Sequence, residues 1–179
     1  VDEFSSFARM PKAAPEPQQL AAVVREATVL QRVSSSDMDI ELDVRNGEFT
    51  FPFDRRLVTQ AVTNLVKNAR ESIEQRQQSS PDPRGHILVE AGSENGHPFI
   101  SVTDNGVGLP KENRHRLAEP YMTTREKGTG LGLAIVKRIM EEHGGRLLLE
   151  DATVPVEGMT GARVTLLFDK VAIAADETV

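Results

Sequence analysis

The chain has 179 residues, a formal net charge of −6, no cysteine and no tryptophan. That length supports one compact domain with a real core and some additional segment. Without cysteine there are no disulfides, thiolate zinc sites or thiol nucleophiles, and an acidic, aromatic-poor chain lacks the equipment of a nucleic-acid binder.

Residues 1–10, VDEFSSFARM, read as the end of an amphipathic helix with Phe4 and Phe7 on one face. Three prolines between Pro11 and Pro17 predict a linker. A helix is expected from Gln18 to Arg32, burying Leu20, Val23, Val24, Ala27 and Leu30. MDIELDV alternates like a half-buried strand, and Asn46-Gly47 predicts a hairpin turn into EFTFPF. Asp54 then caps a helix whose face is Leu57, Val58, Ala61, Val62, Leu65, Val66, Ala69 and Ile73. QRQQSSPDPRG reads as a polar loop, followed by strands HILVEAG and PFISVTD around a turn at Glu94-Asn95-Gly96. The irregular stretch from Asn105 to Gly130 is too long for a connector and predicts a functional lid. A helix from Leu131 to His143 stops at Gly144-Gly145, and RLLLED and ARVTLLF supply two more strands before a frayed tail. These elements predict an α/β fold: two layers, with a mixed sheet of about five strands and three main helices on one face. No segment is apolar enough to span a bilayer, no signal peptide opens the chain, and a start at Val1 reads as a piece of a longer protein.

Three constellations carry chemistry. Asn64 and Asn68 are four residues apart and share the edge of the apolar helix face. Amide oxygens there could coordinate Mg²⁺, or could simply bond to neighbouring backbone. Asp104-Asn105-Gly106-Val107-Gly108 follows a strand; a carboxylate at such a place can read an exocyclic amino group, and an Asp-Asn-Gly turn is the simpler alternative. Gly128-Thr129-Gly130-Leu131-Gly132-Leu133 opens a helix, where freed backbone N–H groups receive phosphate. No strand precedes those glycines, unlike a dinucleotide fingerprint, and the P-loop Lys-Ser/Thr is missing.

In this order the three resemble the N, G1 and G2 boxes of the GHKL ATPase superfamily, over residues 18 to 169. Glu119 to Thr124 resembles the F-box region of histidine kinases, with Tyr121 and Met122 departing from the usual phenylalanines. VDEFSSFARMPKA resembles the end of the dimerisation helix in NtrY-like sensors of nitrogen regulation. The resemblance implies a Bergerat-type α/β sandwich binding ATP with Mg²⁺ under the lid. Residues 1–17 would be the end of a dimerisation helix and linker, 18–169 the catalytic domain and 170–179 a flexible tail. By position, Asp104 would read adenine, Gly106 and Gly108 would shape that wall, and Asn68 would ligate Mg²⁺ beside Asn64 and Lys67 as catalytic residues. Tyr121, Thr123, Lys127, Gly128, Thr129, Gly130, Leu131 and Gly132 would contact the nucleotide, with Arg70 and Arg125 as further phosphate candidates. Gly161-Ala162 stands where the family often has Gly-Thr, which removes a hydroxyl.

A histidine kinase also needs a phosphoacceptor histidine followed closely by an acidic residue on an upstream helix. His86, His97, His115 and His143 all lack that setting and read as surface or capping residues; for His143 at a helix end, a cation suits the dipole. The chain is thus expected to bind ATP or ADP without phosphorylating itself, and to be monomeric with no membrane contact of its own. The resemblance supplies the missing parts: a dimerisation-phosphotransfer domain, an NtrX-like response regulator, and a parent in the inner membrane with this domain in the cytoplasm. The hydrolytic relatives of gyrase, Hsp90 or MutL type need a glutamate base where this chain has Asn64. A non-catalytic interaction module is the remaining alternative.

Overall fold

The computed structural model describes residues 10, 12–34, 37–120, 132–153 and 160–171. Three helices, α1 (Leu20–Ser34), α2 (Arg55–Ser79) and α3 (Gly132–Glu142), pack on a five-stranded sheet. The strands are β2 (Met38–Asp43), β4 (Gly85–Glu94), β5 (His97–Asp104), β6 (Arg146–Thr153) and β7 (Thr160–Leu167), in the order β2-β4-β5-β7-β6. Only β2 and β4 pair in parallel; the other neighbours are antiparallel. The sheet is mixed and the architecture is the expected α/β sandwich.

Periodicity explains the layers. Along β4, Ile87, Val89 and Ala91 are buried while His86, Leu88 and Glu90 are half-exposed, so one sheet face is covered by helices. Against it, α2 lays down Leu57, Val58, Ala61, Val62, Leu65, Val66, Ala69 and Ile73, all nearly inaccessible. From α3 come Ile135, Ile139 and Met140, and from α1 Leu20, Val23, Val24 and Ala27. Truncating any large member to alanine would cost about 2–5 kcal/mol.

Local signals act as read. Asp54 caps α2, its Oδ1 accepting from the Leu57 N–H at 3.1 Å. Asn95 and Gly96 both have positive φ, which a two-residue primed turn between β4 and β5 requires. Gly144 takes φ +67° after α3, and the bonds Gly145 N–H to Met140 O and Gly144 N–H to Glu141 O form a Schellman end.

Four expectations change. Asn46-Gly47 is not a hairpin turn: Arg45–Gly47 is a single 3-10 turn and β2 pairs with β4. Gly47 does not adopt positive φ; it is needed because a Cβ there would lie 2.9 Å from the Ala91 Cβ. EFTFPF instead yields β3 (Thr50–Phe53), paired antiparallel with β1 (Glu16–Gln19), so the linker already becomes strand at Glu16. This ribbon inserts Phe51 and Phe53 beside Phe168. Second, α1 starts at Leu20 and continues to Ser34, with Leu30 76% exposed beside exposed Val29 and Val33. Its inner side at that level is taken by buried Thr28, whose hydroxyl donates to Val24 O. Third, Gln75 to Ser79 extend α2 rather than forming loop, and Arg76 is buried. Fourth, His143 does not stand as a dipole cation. Its Nδ1 lies 2.7 Å from Ile139 O and its Nε2 accepts from the Asp54 N–H, which is the pattern of the neutral ring.

Candidate functional site

Four polar residues of α2 recur every fourth position: Asn64, Asn68, Ser72 and Arg76. Each step of four turns the helix by about 400°, so they form one gently drifting stripe along an edge of its apolar face. The stripe faces two other pieces of backbone, far away in sequence, and these are the other two constellations.

At its first end lies the start of α3. Asn64 Nδ2 reaches the Gly132 carbonyl at 3.5 Å. A Cβ built on Gly132 would meet the Asn68 amide at 3.6–3.7 Å, so the glycine leaves a methyl-sized gap in front of that amide. At its other end lies the turn leaving β5. Asp104 is buried, and its Oδ1 accepts from the Gly106 N–H at 2.8 Å, an Asx turn that aims the carboxylate. The Ser72 hydroxyl accepts from the Val107 N–H at 3.1 Å.

The two glycines of the turn serve different needs. Gly108 has φ +79°, a conformation that side chains resist. Gly106 does not; a Cβ there would lie 2.2 Å from Ser72 Oγ, so it is glycine because α2 comes too close. Gly161, at the start of β7, is tighter still, with a Cβ only 1.6 Å from Asp104 O. The Gly161-Ala162 pair therefore matters here through its missing side chain rather than a missing hydroxyl.

Asn105 locks the turn to β4. Its Oδ1 accepts from the His86 N–H at 2.8 Å and its Nδ2 donates to Arg84 O at 3.0 Å. Arg76 Nε donates to Asn105 O at 2.7 Å. Ser72 and Arg76 were not among the residues singled out from sequence; Asn105 stood there only as a member of the Asp104–Gly108 motif, and Gly161 only beside Ala162 for a missing hydroxyl. The four-residue period of α2 was the available signal for Ser72 and Arg76; the steric role of Gly161 had none, because it comes from the close approach of the Asp104 backbone.

Of the expected site residues, the fold thus gathers Asn64, Asn68 and Gly132 at one end and Asp104, Gly106 and Gly108 at the other. Lys67 is exposed on α2. Arg70 does not serve the site: its Nη1 donates to Gln31 of α1 at 3.4 Å, because position 70 is turned about 200° from Asn68. Tyr121, Thr123, Arg125, Lys127, Gly128, Thr129, Gly130 and Leu131 lie outside the described residues. The described part of the expected lid, residues 105–120, is irregular apart from a 3-10 turn at Arg114–Arg116, and Arg114 Nη2 pins it to Asp151 of β6 at 2.7 Å. Among the described residues there is no cluster of three or more His, Asp or Glu side chains that could cage a metal, and no helix is long and apolar enough to cross a membrane.

Comparison with known proteins matches residues 53–172 to the family described as histidine kinase-, DNA gyrase B- and HSP90-like ATPase. The chain is 51% identical to the nitrogen regulation protein NtrY of Azorhizobium caulinodans over 154 residues, which is 85% of this chain and 20% of that protein. It is 36% identical to a putative sensor histidine kinase, NtrY-like, of Rickettsia conorii over 94% of this chain and 26% of that one. The chain thus spans a fifth to a quarter of the length of these curated relatives. Among solved structures it is similar to the mycobacterial sensor histidine kinase MprB, with TM-score 0.70 and 27% identity, covering 86% of this chain and 97% of that chain.

Proposed function

This chain belongs to the histidine kinase-, DNA gyrase B- and HSP90-like ATPase family, and we propose that it is the ATP-binding catalytic domain of an NtrY-like sensor histidine kinase. The observation that carries this reading is the stripe on α2, which has the head of α3 at one end and the Asp104 turn at the other. Those are the two ends that a nucleotide presents, phosphates and base.

In this reading the Asp104 carboxylate accepts a hydrogen bond from the exocyclic amino group of adenine, with Gly106 and Gly108 letting the ring approach the backbone. Phosphates lie toward the N-terminus of α3, where unpaired N–H groups and the helix dipole favour anions. Gly132, Gly128, Thr129, Gly130, Leu131 and Lys127 belong to that end, and Tyr121 and Thr123 to the lid. The gap before the Asn68 amide fits Mg²⁺, which takes few protein oxygens and shares its shell with phosphate and water. When bound, the ion neutralises charge on the phosphate oxygens. Phosphoryl transfer asks little of the protein beyond positioning and charge stabilisation, and Asn64, Lys67 and Asn68 serve those ends.

The acceptor is a histidine on a dimerisation-phosphotransfer domain, from which the phosphoryl group passes to a response regulator, NtrX-like by the kinship with NtrY. Residues 1–17 connect to that domain, and the parent is anchored in the inner membrane with this domain in the cytoplasm. Efficient hydrolysis is disfavoured. Asn64 stands where a water-activating carboxylate is needed, and its amide already donates toward Gly132 O.

Calorimetric titration with ADP and a non-hydrolysable ATP analogue, with and without Mg²⁺, tests this reading on the chain and on Asp104→Ala. Magnesium-sensitive binding that the substitution abolishes is the expected result. An absence of binding to the unaltered chain would sink it.

A further inference from the structure

Arg76 is 7% exposed, yet its guanidinium meets backbone carbonyls: Asn105 O at 2.7 Å, Ser80 O at 2.9 Å and Pro83 O at 2.7 Å. A buried cation held by carbonyls is a costly way to end a helix, since burial penalises its charge and, among the described residues, no carboxylate pairs with it. What it achieves is geometric. Its Nε holds the carbonyl of Asn105, the residue after Asp104, while one turn earlier the Ser72 hydroxyl holds the N–H of Val107. The turn that leaves Asp104 is therefore anchored to the same helix at Asn105 and at Val107, while the Asn105 side chain latches it to the start of β4.

We propose that Arg76, with Ser72, is a positioning residue for base recognition: the two hold the 104–107 turn so that the Asp104 carboxylate meets the 6-amino group of adenine in line. The inference rests on the nucleotide reading above and goes beyond it, because it concerns the residues that hold the turn and not the carboxylate that reads the base. A hydrogen bond to a charged acceptor tolerates little misalignment, so freeing the turn must degrade discrimination at position 6 of the purine more than overall binding.

The test compares ADP with inosine diphosphate, whose 6-oxo group cannot donate, by titration calorimetry on the whole chain. The unaltered protein is expected to prefer ADP by roughly 10- to 100-fold, the worth of one hydrogen bond to a charged group. In Arg76→Met that preference should shrink by about fivefold or more, chiefly through weaker ADP binding, and Arg76→Lys, keeping a cation and some donors, should recover part of it. Ser72→Ala removes a single hydroxyl from a well-packed helix and should shift the ratio in the same direction, so the test survives if Arg76→Met does not fold. A merely structural role would lower the unfolding temperature and weaken both nucleotides in proportion. An unchanged ADP-to-inosine-diphosphate ratio in Arg76→Lys and Ser72→Ala would overturn the inference while leaving the nucleotide site intact. Failure of the unaltered chain to bind either nucleotide would overturn the site itself.

Discussion

The backbone N–H of Asp54 donates to His143 Nε2 at 3.0 Å, joining the cap of α2 to the residue that follows α3. The same junction holds the incoming chain. Asp54 Oδ2 accepts from the Ala14 N–H at 2.9 Å, and Glu142 Oε2 from the Ala13 N–H at 3.2 Å. The His143 ring stands edge-on to Phe168 at 6.0 Å, under the β1–β3 ribbon. The junction lies at the C-terminal end of α3, whose N-terminal end faces Asn64 and Asn68, so one short helix spans from the incoming segment to the proposed nucleotide site.

Replacing His143 by alanine should leave the Asp54 N–H without its partner and remove the contact with Phe168. The expected loss is about 2 kcal/mol of stability, with chemical denaturation as the measurement. A change under about 0.5 kcal/mol, typical of surface sites, would show that the junction carries no weight.

Acid should weaken the same junction through Asp54. Burial pushes its pKa up, but N–H donors from Ala14 and Leu57 and the nearby Arg56 charge outweigh that and hold it below the ordinary carboxylate value. A depressed folded-state pKa stabilises the protein above the unfolded value of about 3.9, and that contribution is lost as pH falls through the folded pKa. Asp54→Asn keeps a capping side chain but cannot titrate. The stability gap between the two proteins, followed by urea midpoints from neutral pH downward, should close in acid; a gap independent of pH contradicts this account.

Two glycines near the site should respond in opposite ways. Gly161→Ala drives a methyl into the Asp104 carbonyl and should cost roughly 4 kcal/mol or more, or prevent folding. Gly132→Ala meets only ordinary contact with the Asn68 amide and should keep stability within about 0.5 kcal/mol. Its methyl nevertheless fills the gap before Asn68, so nucleotide affinity should fall. Thermal unfolding and ADP titration of both variants separate the two effects.

Asn68→Ala should abolish the part of nucleotide affinity that depends on magnesium, about tenfold or more, while leaving metal-free binding of ADP nearly unchanged. Titrations with Mg²⁺ and with chelator give the comparison. Equal losses under both conditions would place Asn68 against the nucleotide rather than the metal.

Where chemistry acts within one turn of chain, the sequence was sufficient. The Asp54 cap, the Asn95-Gly96 turn, the Gly144-Gly145 stop and the apolar face of α2 each depend on neighbours no more than about four residues away. The pairing of Asn64 with Asn68 was legible for the same reason, and extending the period would have reached Ser72 and Arg76. What pairs with what was decided only in three dimensions. Asn46-Gly47 has the composition of a hairpin turn, but β2 gains more by lying beside β4, and Gly47 is kept by the nearness of Ala91. Residues 16–19, with Pro15 before them and Pro17 among them, become a strand only because β3 offers them an edge. Leu30 fits its helix pattern and yet faces outward, while Thr28 is buried. Gly161 and Gly106 look like ordinary flexible residues until another backbone is seen to pass where their side chains would be. Hydrogen bonding and steric exclusion over a few residues are written in local order; the close approach of distant backbones is a property of packing, and the site's tightest constraints are of that second kind.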